Sequence, residues 1–140
     1  MDEKANIIVK TDIKAPIEKV WQCFTKPEHI VHWYFASDDW EAPRAENDLR
    51  PGGKFKTVTA AKDKSSSFDF TGTYTAVKAL ELIEYDIDDG RHVKVEFKKL
   101  PSSVSVTETF EPEKIYPEAK QQEGWQAILN NFKKYVEGKN

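Results

Sequence analysis

Between residues 54 and 110 the chain switches again and again between apolar and polar residues, and that two-residue period restricts it to β-structure with one covered face. Lys54-Phe55-Lys56-Thr57-Val58-Thr59 alternates, and so do Phe68, Phe70, Gly72, Tyr74 and Ala76 with the polar residues between them. Further strands are expected at 80–87 (Leu82, Ile83, Tyr85, Ile87), 92–98 (Val93, Val95, Phe97) and 103–111 (Val104, Val106, Phe110). The breaks carry turn chemistry: a polar tip at 62–67, Asp88-Asp89-Gly90, and Leu100-Pro101-Ser102-Ser103. Strands joined this closely form an antiparallel meander with an apolar face that something must cover. The period then changes: Trp125, Ile128, Leu129, Phe132 and Val136 mark one face of a helix over about 118–137, with Lys120, Gln122, Lys133 and Lys134 largely off it. That helix is the one element long enough to lie across the concave side of the sheet.

The first half reads as strand, two helices and a connection. Ile7–Ile13 is rich in β-branched residues. Pro16 suits a helix start, where its missing N–H has no partner to lose. Ile17, Val20, Trp21 and Phe24 then follow at i, i+3, i+4 and i+7. Lys26-Pro27 closes this helix and opens a second, carrying Ile30, Val31, Trp33 and Tyr34. From 35 to 50 the periodicity is lost around Trp40, which reads as a long connection, and Arg50-Pro51-Gly52-Gly53 is a turn. The expected order is β-α-α-β-β-β-β-β-α, an α+β fold in one domain spanning 1–140, a size that buries a core without a disulfide or metal staple.

Composition narrows the partners. The net charge is −3, with Lys and Glu interspersed, which argues against nucleic acid and against a polybasic membrane anchor. No stretch approaches a membrane span, so no membrane insertion is expected. Met1-Asp2-Glu3-Lys4 lacks the apolar core of a secretory signal, and Cys23 is the single cysteine, so a cytoplasmic location is expected. Aromatic residues are 12% of the chain, with four Trp, five Tyr and eight Phe that must mostly go inside.

Several words along the chain add to this pattern: Ile13-Lys14-Ala15-Pro16-Ile17-Glu18-Lys19-Val20-Trp21, then Pro27-Glu28-His29-Ile30 leading to Trp33-Tyr34, and Leu49-Arg50-Pro51-Gly52-Gly53-Lys54-Phe55. Thr107-Glu108-Thr109-Phe110 and Glu123-Gly124-Trp125 with Leu129 complete the series. In this order, over essentially the whole chain, they resemble the START-like or SRPBCC superfamily, and within it the proteins similar to the activator of the heat-shock-protein-90 ATPase. The resemblance implies a helix-grip fold, a curved antiparallel sheet wrapped on the C-terminal helix with an internal cavity. The superfamily includes lipid carriers, hormone and flavonoid binders, polyketide cyclases and oxygenase subunits, so the fold locates a site without naming a reaction. The eukaryotic co-chaperone carries this domain behind a separate N-terminal one, for which these 140 residues leave no room. The family's name is therefore not expected to be the activity.

The leading expectation is reversible binding of a small hydrophobic ligand, lipid, flavonoid or polyketide-like, with no catalytic residues, cofactor or metal. The alternatives are a cyclase or hydrolase acting on a hydrophobic substrate, and an interaction module with a chaperone as partner. Cavity candidates are Phe55, Phe70, Tyr74, Tyr85, Phe97 and Phe110 from the sheet, Trp125, Leu129 and Phe132 from the helix, and Trp33 and Trp40 from the covering segment. Tyr34 joins those two tryptophans as a candidate gate. Every one of these aromatics could equally be plain core.

Glu108 shares strand parity with Val104, Val106 and Phe110 and so points inward, unless a β-bulge near Thr107 turns it out. Inside, it would need a partner or would have a raised pKa, and could orient a ligand hydroxyl or act as a base. Gly72 and Gly124 each signal either close packing or room for a ligand. His29 and His32 could meet on one helix face but lack a third metal ligand. Cys23 reads as a small buried hydrophobe without a base to activate it, and Arg50 as a tie between connection and sheet or a greeting for an anion.

Overall fold

The computed structural model describes residues 6–114 and 117–138. Its elements are β1 (Ile7–Ile13), α1 (Ile17–Thr25), α2 (Pro27–Ile30), β2 (Trp40–Asn47), β3 (Lys54–Ala61), β4 (Ser67–Lys78), β5 (Leu82–Ile87), β6 (His92–Lys99), β7 (Val104–Phe110) and α3 (Glu118–Val136). The strands form one seven-stranded antiparallel sheet in the order β1-β7-β6-β5-β4-β3-β2. It curls into a half-barrel around α3, the helix-grip architecture expected of the alternation and the terminal helix. Among the described residues no helix is long and apolar enough to cross a membrane.

Two features of the first half differ from expectation. The connection at 35–50 contains strand β2, paired with β3 from Trp40↔Ala61 to Asn47↔Phe55. Its sequence, Trp-Glu-Ala-Pro-Arg-Ala-Glu-Asn, hides the strand because it lies at a sheet edge, where polar residues and Pro43 are tolerated. Pro43 falls within the register shift between Glu41 and Arg44. Helix α2 is also shorter than its apolar cluster suggests, ending at Ile30, and Trp33 and Tyr34 follow in the turn beyond. Trp33 is nonetheless core: its indole N–H donates to the Cys23 carbonyl at 2.8 Å.

The opposite edge, β1, is closed by α3. Four positions along one polar side of the helix and its C-cap, 122, 126, 133 and 137, meet backbone groups at this edge. Gln122 Nε2 donates to the Ile8 carbonyl (3.3 Å), and Gln126 accepts from Lys10 N–H (3.3 Å) and donates to its carbonyl (3.1 Å). Lys133 Nζ donates to the Asp12 carbonyl (2.5 Å), and Lys14 N–H donates to Glu137 (2.8 Å). These contacts cover much of an edge that would otherwise template another chain, and they fix the helix in register along the sheet. Its apolar stripe then faces inward, burying Leu129, Phe132 and Val136.

Candidate functional site

Strand β7 pairs without interruption on both sides, Glu108 lying opposite Val9 of β1 and Val95 of β6. No bulge occurs near Thr107, so parity is kept and Glu108 faces the concave side with Val104, Val106 and Phe110. It is only 9% exposed and, among the described residues, its carboxyl group has no hydrogen-bond or ion-pair partner. Burial pushes its pKa up to about 8, so the neutral acid dominates at pH 7.

The acid borders a cavity lined also by Phe24, Ile30, Trp33, Tyr34, Glu46, Asn47, Phe55, Thr57, Phe70, Tyr74, Tyr85, Trp125 and Ile128. The space open to the centre of a water-sized sphere is about 60 Å³, enough for a few waters. Phe55 is the hub of the ring packing, 4.9 Å from Tyr85, 5.2 Å from Tyr74 and 5.5 Å from Phe70 between centroids. Phe70 stacks on Tyr34 at 5.6 Å. Phe70, Tyr34, Trp125 and Ile128 are half-buried and form the rim, whereas Phe55, Tyr74 and Tyr85 are buried.

The three cavity tyrosines differ in their hydroxyl partners. Tyr74 donates to Asn47 Oδ1 at 2.5 Å, and Asn47 Nδ2 in turn donates to the Thr25 carbonyl, tying β4, β2 and α1 together. Tyr34 and Tyr85 have no hydrogen-bond partner among the described residues. Burial raises both far above the ordinary phenol range; Glu108 adds to this and the Arg91 guanidinium opposes it. The O–H groups of Tyr34, Tyr85 and protonated Glu108 therefore border one apolar recess with no acceptor partner among the described residues.

Gly72 belongs to packing, not to ligand space. A Cβ there would lie 2.7 Å from the Phe55 ring and 2.5 Å from the Asp86 carbonyl oxygen, so the glycine lets Phe55 lie flat against β4. Gly124 has no atom within 4 Å of its would-be Cβ, and no contact requires a glycine there.

Of the residues expected to line the cavity, Trp33, Phe55, Phe70, Tyr74, Tyr85, Glu108 and Trp125 come together there. The other five are elsewhere. Phe97 packs edge-on against Trp21 and Phe24, and Phe132 against Phe24 and Trp33, closing the far end of the concavity. Leu129 is sealed in the same core at 1% exposure. Phe110 is covered by Trp125, stacked on it at 3.7 Å, so the tryptophan presents the surface its neighbour would have offered. Trp40 stacks on the exposed Phe68 outside the cavity, sharing a shallower recess with Phe35, Thr59 and Ile128. Residues the sequence reading left out are Phe24, Ile30, Asn47, Thr57, Ile128 and, at the opening, Glu46; Asn47 and Glu46 arrive on the unforeseen strand β2.

The remaining polar candidates are structural. Tyr135 OH and His29 Nδ1 share a hydrogen bond of 2.6 Å, and His32 stacks on the same ring, so the two histidines clasp α2 to α3. Among the described residues no group of His, Cys, Asp and Glu could hold a metal ion. Cys23 is buried, which pushes its thiol pKa up. Among the described residues the Arg50 side chain reaches only Asp48 of its own turn, at 3.1 Å.

Comparison with known proteins places this architecture. No curated protein matches the chain. An AHSA1-like protein from Aeromonas hydrophila, solved in solution, is 44% identical, with 96% of this chain and 93% of that one covered and a TM-score of 0.91. A protein from Cytophaga hutchinsonii is 48% identical over 96% and 93% of the two chains, with a TM-score of 0.82. A crystal structure from Nitrosomonas europaea, at 19% identity, shares the fold over 99% and 98% of the chains with a TM-score of 0.85. Residues 14–137 match the family model of the Activator of Hsp90 ATPase homolog 1-like proteins, and the chain belongs to that family.

Proposed function

We propose that the protein reversibly binds a small hydrophobic ligand in the space between its sheet and α3. The observation that carries this is the cavity itself, bounded by eight aromatic side chains at one end of an otherwise filled core. Apolar burial would supply affinity and a few polar groups orientation, the usual division of labour in small-molecule pockets. The resting space is smaller than a ligand of ten or more heavy atoms, so binding displaces the rim, where Phe70 and Tyr34 stack over the opening and Trp125 and Ile128 face them. Membership of a fold family that commonly binds hydrophobic ligands supports the reading.

The test is a thermal-shift screen of flavonoids, fatty acids and polyketide-like aromatics, with isothermal titration of the hits. A ligand at a hundred times its Kd adds about 2.7 kcal/mol of stability. Hits within one chemical class, weakened by Phe70→Ala, are the expected result. The absence of a shift from every class would overturn the proposal.

A further inference from the structure

Ligand selection in this cavity turns on its unpartnered polar groups, Glu108 and Tyr85 in the buried wall and Tyr34 at the rim. We propose that the cavity recognises its ligand through one hydrogen-bond acceptor, a carbonyl oxygen of an otherwise apolar molecule, held by the O–H groups of Glu108, Tyr34 and Tyr85. This rests on the binding reading above and names the chemical class it would take.

The three donors are unmatched. All three groups line the same cavity, and none has a hydrogen-bond partner among the described residues. Buried polar groups are almost always paired, and those left open toward a cavity are satisfied by water or by what the cavity binds. Glu108 is mainly protonated at neutral pH and so adds a donor beside the two phenols. Tyr74, the fourth hydroxyl, is already committed to Asn47 and sets no demand.

A cationic amine is the natural rival, since a carboxyl group among aromatic rings can bind ammonium groups. One observation opposes it: burial holds Glu108 mainly protonated near neutral pH, so it offers an ammonium group no carboxylate there. The titratable groups around the site besides Glu108 are Tyr34 from the turn after α2, Tyr74 from β4, Tyr85 from β5 and, farther out, Arg91 ahead of β6, which pairs with Asp89 and Glu113. None of them welcomes a cation more than a carbonyl.

Matched probes separate these possibilities. 2-Acetonaphthone carries the acceptor, 2-isopropylnaphthalene replaces its oxygen with a methyl group, and 2-naphthylmethylamine carries the cation. Titration at pH 6.5 should give the ketone a Kd about tenfold below that of the hydrocarbon, the scale of a hydrogen bond made in a dry site. Glu108→Leu should bring the ratio close to one while hydrocarbon binding persists, and Glu108→Gln, which still donates, should keep most of it. Tyr85→Phe, a smaller change, should lower it by a few fold. Hydrocarbon and ketone binding equally, or the amine binding tightest with an affinity that rises toward pH 9, would overturn this inference and leave hydrophobic binding standing. Failure of all three probes would overturn the binding reading itself.

Discussion

The two ends of the space between sheet and helix are built by the same alternation yet come out differently. At one end Phe97, Phe132, Phe24 and Trp33 interlock edge to face, with centroid distances of 4.6–5.4 Å among Phe24–Phe97, Phe24–Phe132 and Trp33–Phe132, and the aliphatic residues Val20, Leu129 and Val136 fill the gaps. At the other end Phe55, Phe70, Trp125 and Ile128 share the lining with the polar-tipped Tyr34, Tyr74, Tyr85, Asn47, Thr57 and Glu108, and there the cavity remains. Polar tips cannot be pressed together without partners, and only Tyr74 and Asn47 pair with each other. Polar tips are what distinguish the open end from the closed one.

The comparison can be broken most directly at the filled end. Phe132→Ala should cost about 3–5 kcal/mol in chemical denaturation, because a fully buried ring is removed from a region unable to collapse around the hole. Phe70→Ala at the half-buried rim should cost less than half of that. Equal losses at the two positions would mean that both ends are packed alike.

Glu108 gives the next largest effect, through pH. Its pKa is 4.5 in the reference state and about 8 in the fold. Between those values the folded chain holds a proton that the unfolded chain has released, so stability is greatest below about pH 4.5 and falls as pH rises through 8. The loss should be roughly 2–4 kcal/mol, given about 1.36 kcal/mol per unit and some water reaching the open side. Denaturation at pH 5, 6.5 and 8 should show this slope in the wild type and a nearly level profile in Glu108→Gln. A level wild-type profile would mean that the acid is solvated or paired.

These contrasts also explain what the sequence disclosed. Periods of two and 3.6 residues are set by backbone geometry, so five of the strands and α3 stand out at once. Strand β2 does not, because an edge strand is under no pressure to look apolar, and with it Asn47 was lost as the partner of Tyr74. Parity alone settles the direction of Glu108, since register in β7 is unbroken. Parity says nothing about depth, however. Phe97 and Phe110 face inward like Phe55 and Tyr85, but one is locked behind Trp21 and Phe24 and the other lies under Trp125. Those positions depend on how the helix sits over the sheet, which no local pattern encodes.

Helix α3 serves both ends, and Gly124 lies on it next to Trp125, toward the open one. With no atom within 4 Å of a Cβ at that site, Gly124→Ala should stabilise the protein by about 0.5–1 kcal/mol through helix propensity alone. The gain is read as a higher Tm. If the same variant also loses affinity for a cavity ligand, the glycine supplies flexibility that lets Trp125 move, and the open end is more adjustable than its packing indicates.

The smallest effect concerns a group outside the cavity whose titration could be mistaken for that of Glu108. His92 shares hydrogen bonds with Asp86 Oδ1 (2.6 Å) and Glu84 Oε1 (2.8 Å), and these carboxylates raise its pKa above 6.5. A raised histidine contributes stability that is complete below its unfolded pKa and is lost as pH rises through the folded one. This has the same sign as the loss from Glu108, and the two pH ranges overlap. The side chain is 42% exposed, however, so screening should hold its share below about 1 kcal/mol. His92→Gln should therefore flatten only a minor part of the profile between pH 6 and 8, and added salt should shrink that part further. Glu108→Gln should remove the rest with little salt dependence, because its cause is burial. If His92→Gln instead abolished most of the slope, the pH response would belong to the strand surface, and the acid in the cavity would have to be less buried than its neighbours make it.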